Sequence, residues 1–200
     1  MSAILGPIHH WLFRKIQFQD ALTGEILRKA KEKGYDGEKL SRVDEMGILP
    51  QGELGNIIDS SNIHGWLQGK IALVEYRLAA GVKSMLEERK EAMEDICAIA
   101  FAFGREHGAG SLSLGEGFRF YEDTLVNGMP CDGVNMVLNE DGEELIWEET
   151  VDIHAPYWQE LGMEGALFYE IRDALVKGLF EGSGLKYQAL GNGTYKLVKE

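Results

Sequence analysis

The first pattern along the chain is helical. After Pro7, apolar residues recur mostly at three- and four-residue steps as far as Ile26, and the pattern stops at Gly34. Proline suits the first turn of a helix and glycine commonly ends one, so the spacing predicts a long amphipathic helix over about 7–34. The apolar positions of its stripe are Ile8, Trp11, Leu12, Ile16, Leu22 and Ile26.

A second helical stretch runs from about Ile63 to about His107. The preceding Asp, Ser, Ser and Asn at 59–62 are good capping residues for its start. At about 1.5 Å per residue, one helix of this length would be longer than a small domain is wide, so we expect a break or bend near Gly81. Residues 96–103, ICAIAFAF, are apolar on every side, which predicts a buried central helix at the end of this stretch.

The segments that connect these helices contain residues that favour the start of a helix and residues that interrupt one. Residues 38–46 predict a short helix and 47–55 a loop. The glycine-rich stretch 104–117 lacks the spacing of a phosphate-binding loop and is interpreted as a linker. Ser113 and Glu116 have the spacing of a capping box, which predicts a helix from there to about 128.

The pattern becomes strand-like after Gly133. Two alternating segments flank the sequence NEDG at 139–142, which is a strong hairpin signal. Residues 155–182 contain a long amphipathic helix, and a second hairpin is predicted around the glycines of 191–193.

The expected fold is therefore α+β. A helical N-terminal half, 1–112, packs on a small antiparallel sheet with a long C-terminal helix in 113–200. A chain of 200 residues with 44% hydrophobic content is also compatible with one integrated domain.

Charge and apolar content restrict the partners. The net charge of −13 repels phosphate backbones and anionic lipids, so we expect neither nucleic acid nor a membrane as a partner. No apolar segment approaches the roughly 20 residues that span a bilayer, and we expect a cytoplasmic protein. Cys97 and Cys131 lack the spacing of a disulfide framework or a zinc site.

A repeated segment supplies the first group of candidate residues. PIHHWLFRKI at 7–16 and NIHGWLQGKI at 62–71 share Ile, His, Trp, Leu, Lys and Ile at the same positions. In each copy an acidic residue follows the histidine by about three helical turns, so both lie on one stripe. Antiparallel packing would bring each histidine to the carboxylate of the other copy. Parallel packing would gather both histidines at one end, where they could share a metal or an anionic ligand.

Alternatively, the repeated side chains are ordinary core residues. The histidine and carboxylate spacings that are typical of helical metal sites are missing, so metal content stays open. The candidates for ligand binding are His9, His64, Trp11, Trp66, Asp20 and Glu75.

The first hairpin supplies a second group. Alternation places Glu148, Thr150, Asp152 and His154 on one face of the strand. A two-residue turn at 141–142 would set Asn135 opposite Glu148 and Cys131 opposite Asp152. A register shift of two residues would change these partners but keep the same side chains on each face of the sheet. A three-residue loop would change which side chains share a face. The face could simply be solvated. Otherwise, a thiol, an imidazole and a carboxylate together could form an activated nucleophile, and the catalytic candidates are Cys131, His154 and Asp152.

The C-terminal quarter resembles a known family. After a strand come HAPYWQELG at 154–162, a helix with FYEIRDALVKGL at 168–179, and LKYQALGNGTYKLV at 185–198. This order resembles the last segment of the L-2-amino-thiazoline-4-carboxylate hydrolase-like family and, more distantly, the ligand-binding domains of the vinyl-reductase type. The resemblance rests on Asp173-Ala174-Leu175, Gly178 and the turn at Gly191. It implies an α+β architecture with an enclosed small-molecule cavity.

Catalytic residues of that family do not carry over to this chain. Ala155-Pro156 follows His154 where the family pattern has a cysteine, Tyr169 lies near a second such position, and Tyr195 occupies a third.

Three functions follow from these residues. We expect a small-molecule-binding protein whose ligand lies between the two halves, with both repeat histidines needed for ligand retention. The alternative is a hydrolase of a small carbon–nitrogen substrate that uses Cys131 and His154 or an activated water. A metal-binding helical protein is third. The amphipathic helical half also offers a surface of the kind that homodimers use.

Overall fold

The computed structural model describes residues 5–200 and confirms an α+β fold. Four strands form one antiparallel sheet in the order β1-β2-β4-β3. The helices are α1 (Pro7–Glu32), α2 (Gly37–Glu45), α3 (Leu54–Ile57), α4 (Ile63–Glu88), α5 (Ala92–Glu106), α6 (Leu114–Thr124), α7 (Ala155–Glu160) and α8 (Ala166–Leu179). A 3-10 turn spans Pro130–Asp132, and the strands are β1 (Asn135–Glu140), β2 (Glu144–Glu149), β3 (Leu185–Gly191) and β4 (Thr194–Lys199).

Local capping explains where α4 and α6 begin. Asn62 accepts a hydrogen bond from the Gly65 N–H and caps α4, as its sequence predicts. The predicted capping box of Ser113 and Glu116 is present at the start of α6.

The predicted break near Gly81 is wrong. Helix α4 continues through Gly81 to Glu88, and the chain turns only afterwards. A Cβ at Gly81 would lie 3.0 Å from the Leu27 side chain, so the glycine lets α1 and α4 approach each other. Its role is in helix packing and not in ending the helix.

The repeated helices α1 and α4 pack parallel, with their N-termini together. The ring centroids of His9 and His64 are 5.6 Å apart, and those of Phe13 and Trp66 are also 5.6 Å apart. Further along, Arg77 of α4 binds Asp20 of α1. The antiparallel alternative, with a histidine–carboxylate pair at each end, is therefore excluded.

The register of the first hairpin differs from the prediction. Asn135 pairs with Glu149 and not with Glu148. Four residues, 141–144, separate the first pair, Glu140 with Leu145, and the register then shifts by one residue between Val137 and Asn139. The strand ends at Glu149. Asp152 and Cys131 consequently lie outside both strands and do not face each other across the sheet.

The long predicted C-terminal helix is divided. Its sequence forms the short α7 and the 14-residue α8, and strands β3 and β4 follow. Helices α6 and α8 pack on the sheet, while α5 packs closely on α8. A Cβ on Gly104 or Gly178 would overlap the backbone of the facing helix. One side of α5 remains accessible at Ala98, so the helix is not buried all round.

One hydrophobic core connects the two halves of the chain. It extends from Leu22 and Ile26 of α1 to Trp147 and Leu197 of the sheet. A second cluster surrounds the N-terminal turns of α1 and α4. Across residues 5–200, no helix combines the length and the apolar composition that a bilayer-spanning segment requires.

Candidate functional site

A buried carboxylate lies where the two halves meet. Glu75 is on α4 and is completely inaccessible to solvent. Its Oε1 accepts a hydrogen bond from Gln19 Nε2 of α1 at 3.0 Å and lies 3.0 Å from His154 Nδ1. A buried charge needs such partners, because transfer out of water without them is very costly.

His154 is held in place from several directions. Asp152 accepts hydrogen bonds from the N–H groups of His154 and Ala155 and from the Tyr169 hydroxyl, and this fixes the start of α7. The imidazole stacks on the Phe168 ring with centroids 3.8 Å apart. Its position is therefore set before any ligand binds.

The hydrogen-bond pattern defines where the protons of the pair lie. His154 Nε2 is 3.2 Å from Asn127 Oδ1, and Asn127 Nδ2 donates to Glu149 Oε1 at 3.1 Å. Because the Glu149 carboxylate only accepts, the Asn127 oxygen must face the imidazole, and His154 Nε2 must carry a proton. The second proton lies in the hydrogen bond between His154 Nδ1 and Glu75 Oε1. Both ring nitrogens are therefore engaged.

The same network continues into the sheet. Glu149 receives two hydrogen bonds from Arg172, at 2.6 and 3.0 Å, and the side chains of both are 4% exposed. Arg172 also donates to the Tyr195 hydroxyl at 2.6 Å. This bidentate pair satisfies the Glu149 carboxylate and joins α8 to β2.

A cavity of about 340 Å³ lies over Glu75, and we call it the Glu75 cavity. The Oε2 atom of Glu75 is buried and has no hydrogen-bond partner among residues 5–200. Helix α4 forms one wall, and residues of the α+β half form the others. The lining residues are Gln68, Ile71, Glu75, Gly128, Asp132, Asp152, Ile153, His154, Pro156 and Tyr157.

Two residues that line this cavity, Asp152 and Tyr157, have pKa values that differ from their usual ones. Burial acts to raise the pKa of Asp152, but hydrogen bonds from Ala155, Tyr169 and His154 outweigh it, and the pKa lies below its usual value. For Tyr157, burial and then the Glu75 charge raise the pKa. At neutral pH the cavity thus presents an ionised Asp152 and a neutral phenol.

Comparisons of the chain with protein-family models, curated proteins and solved structures find no match. Any function of the chain is therefore inferred from the site itself.

A larger cavity of about 440 Å³ lies between α8 and the β3–β4 hairpin. Its most buried carboxylate, Glu149, is already bound by Arg172. The Glu75 cavity differs because its buried carboxylate has one oxygen left to accept a hydrogen bond.

Cys131 is grouped with the repeat histidines and not with His154. It is exposed in the 3-10 turn and lines a third cavity, of about 340 Å³, together with His9 and His64. His9 accepts a hydrogen bond from the Gly6 N–H at Nδ1, so this imidazole also caps α1. Within residues 5–200, no three His, Cys, Asp or Glu side chains are grouped so that they could hold a metal ion.

The other candidates of the repeat lie at separate places. Asp20 binds Arg77, which also binds Asp44. Trp11 donates its indole N–H to Asp123 at 2.7 Å. Trp66 packs on Phe13. Of the repeat candidates, only Glu75 lines the Glu75 cavity.

Gln19 and Asn127 are members of the network that the sequence analysis missed. For Gln19 a signal existed, because this polar residue interrupts the apolar stripe of α1 between Ile16 and Leu22. Asn127 gave no comparable signal, since it follows α6 in an irregular segment.

Proposed function

We propose that the protein binds a small organic molecule in the Glu75 cavity and that, once the lining side chains shift to uncover it, Glu75 Oε2 accepts a hydrogen bond from the ligand. The observation that carries this proposal is the buried and unpartnered Oε2. Leaving such an acceptor unsatisfied costs about 1–3 kcal/mol, and a bound donor removes that cost.

The position of the cavity supports the proposal. Its walls come from α4 in the helical half and from residues 128–157 in the α+β half, which is where the sequence analysis expects a ligand. Ile71, Ile153 and Pro156 supply apolar surface, and a few polar groups supply orientation. This mixture is typical of small-molecule sites.

The charges around the cavity favour a cationic ligand. Asp132 and Asp152 line the cavity and are exposed, whereas both ring nitrogens of His154 are engaged in hydrogen bonds. The Tyr157 ring can also pack on a cation. We therefore infer an amine or amidine that carries apolar substituents, and we expect carboxylates to bind poorly.

The hydrolase alternative has one supporting observation. The free oxygen of Glu75, oriented through Gln19 and His154, has the chemistry of a general base for a water molecule in the cavity. The thiol version has less support, because Cys131 lines another cavity and both His154 nitrogens are engaged. Cleavage of a bound amidine that is lost in Glu75→Gln would favour the hydrolase.

Three isosteric probes test the binding proposal: benzamidine, benzamide and benzoate. We expect benzamidine to raise the melting temperature of the wild-type protein increasingly with ligand concentration, benzamide to raise it less, and benzoate not at all. Equal effects of benzamidine and benzoate would contradict the proposal.

Two variants test whether benzamidine binds in the Glu75 cavity. Glu75→Gln should abolish the benzamidine effect, and Ile153→Trp should block the cavity while leaving the Glu75–His154 pair intact. The matched control replaces both His9 and His64 with Gln. Retention of benzamidine by this control places the ligand over Glu75, whereas its loss would support the expectation that the repeat histidines hold the ligand.

A further inference from the structure

Lys15 is a buried lysine without an ion-pair partner. It lies on α1 with 5% of its surface exposed. No carboxylate within residues 5–200 approaches its Nζ closely enough for a salt bridge, and the amine instead lies 3.9 Å from the centre of the Trp11 ring. Buried lysines usually have a paired acid, so this one requires an explanation.

Lys15 lines a small cavity. This cavity has a volume of about 80 Å³ and is separate from the Glu75 cavity. Trp11 and Lys15 form one side, Glu122 of α6 contributes a carboxylate, and residues 127–135 cover the rest. Two glycines with positive φ, Gly128 at 72° and Gly133 at 58°, let that segment bend over the amine.

The sequence repeat contains an internal comparison. Lys70 occupies the position of Lys15 in the second copy and lies 5.1 Å from the centre of the Trp66 ring. Lys70 is only half-buried, and it does not line the Lys15 cavity. The enclosure of Lys15 therefore comes from the α+β half and not from the repeated motif itself.

Enclosure changes the chemistry of the amine. Burial lowers the pKa of Lys15 to about 8, although the charges of Glu122 and Asp123 act to raise it. Roughly a tenth of the molecules then carry the neutral, nucleophilic amine near pH 7, far more than for an ordinary lysine with a pKa of about 10.4.

We propose that Lys15 is a nucleophilic amine that captures a small neutral aldehyde as an imine in this cavity. Three observations support this proposal: the buried amine has no ion-pair partner among residues 5–200, Lys15 lines a cavity, and Glu122 lines the same cavity. Desolvation is an established way to activate a lysine amine for this chemistry.

The reaction balances without a redox partner. The neutral amine forms a C–N bond to the carbonyl carbon, the C=O π pair moves to oxygen, and a proton passes from nitrogen to oxygen. Loss of water then gives the imine, so that one amine and one aldehyde yield one imine and one water. Glu122 is placed to move the protons, and the protonated imine keeps a positive charge over the Trp11 ring.

The size and charge of the cavity restrict the aldehyde. Its volume of about 80 Å³ is two to three times the roughly 30 Å³ that one water occupies in the liquid. Glu122 and Asp123 disfavour an anionic substrate. Acetaldehyde fits both conditions, whereas glyoxylate is similar in size but carries a negative charge.

Reductive trapping tests the proposal in the wild-type protein. The full chain is incubated with acetaldehyde and cyanoborohydride near pH 7, and the ethylated lysines are located by peptide mass mapping at several times. We expect Lys15 to be labelled at least about tenfold faster than Lys70, because its amine is neutral in a larger fraction of molecules. The chain's α-amino group, which also reacts near this pH, is mapped separately.

Glyoxylate and two variants serve as controls for this experiment. Lys15 should prefer acetaldehyde over glyoxylate, and Lys15→Met should lose the fast site, while Lys70→Met keeps it. Labelling of Lys15 no faster than Lys70 would overturn the proposal even if Lys15→Met fails to fold, since the comparison is made within the wild-type chain. Benzamidine binding at Glu75 is measured independently, so either proposal can fail alone.

Discussion

At the residue scale, hydrogen bonds to each other and to Gln19 and Asn127 hold the Glu75 and His154 side chains in place. Glu75 was a sequence candidate, and one of the two packings considered, the antiparallel one, would have paired it with His9. The observed partner is His154, at the start of α7. The spacing of residues on a helix predicts which side chains share a stripe. It does not predict which side chain from 79 positions further along the chain will reach that stripe.

The first residue-scale prediction concerns this pair. His154→Phe keeps an aromatic ring on Phe168 but leaves Glu75 as a buried charge without its main partner, so the free energy of unfolding should fall by about 3–5 kcal/mol. Urea unfolding provides the measurement. In the double variant with Glu75→Gln, the loss should be smaller than the sum of the two single losses, and strictly additive losses would show that the two side chains do not interact.

The second residue-scale prediction is a pH dependence. The pKa of Lys15 falls from 10.5 to about 8 on folding, so between these values the unfolded chain holds a proton that the folded chain has released. The free energy of unfolding of the wild type, relative to Lys15→Met, should therefore rise with pH from about 8 to 10.5, by up to about 1.4 kcal/mol per pH unit. A difference that stays flat over this range in urea titrations would contradict the buried, uncharged amine.

At the element scale, helix positions were predictable and strand register was not. Pro7, Asn62 and the Ser113–Glu116 box signal their helix starts locally, and the structure contains all three. The hairpin register instead depends on the length of the turn and on the one-residue shift between Val137 and Asn139. Asp141 accepts hydrogen bonds from the N–H groups of Glu143 and Glu144, which favours a connection longer than two residues. The side chain of Glu149, opposite Asn135, is then buried.

Gly178 supplies the element-scale prediction. Gly178→Ala would place a methyl group against the Phe101 carbonyl of α5, so the free energy of unfolding should fall by about 1–3 kcal/mol. The matched control is Gly24→Ala in α1, where a new Cβ would meet nothing within 4 Å. The control should raise stability by about 1 kcal/mol, because alanine favours helix. Similar effects of both changes in urea unfolding would show that α5 and α8 do not pack this closely.

At the scale of the whole molecule, residues 127–135 connect the candidate sites. Parts of this segment line the Glu75 cavity, the Lys15 cavity and the cavity of His9, His64 and Cys131. The sequence predicts the end of a helix near 128 and sets Cys131 in the first hairpin, but it gives no indication that this segment packs on both repeated helices. A site between the halves could be expected from the sequence, whereas its lining residues required the three-dimensional path of this segment. The homodimer stays a prediction.

The central claim is that a cationic small molecule binds over Glu75, and a crystal structure of the benzamidine complex tests it most directly. We predict that the amidinium lies within hydrogen-bond distance of Glu75 Oε2, with the ring between Ile71, Ile153 and Tyr157. Benzamidine bound beside His9 and His64, or an empty Glu75 cavity at a benzamidine concentration that raises the melting temperature, would contradict the claim.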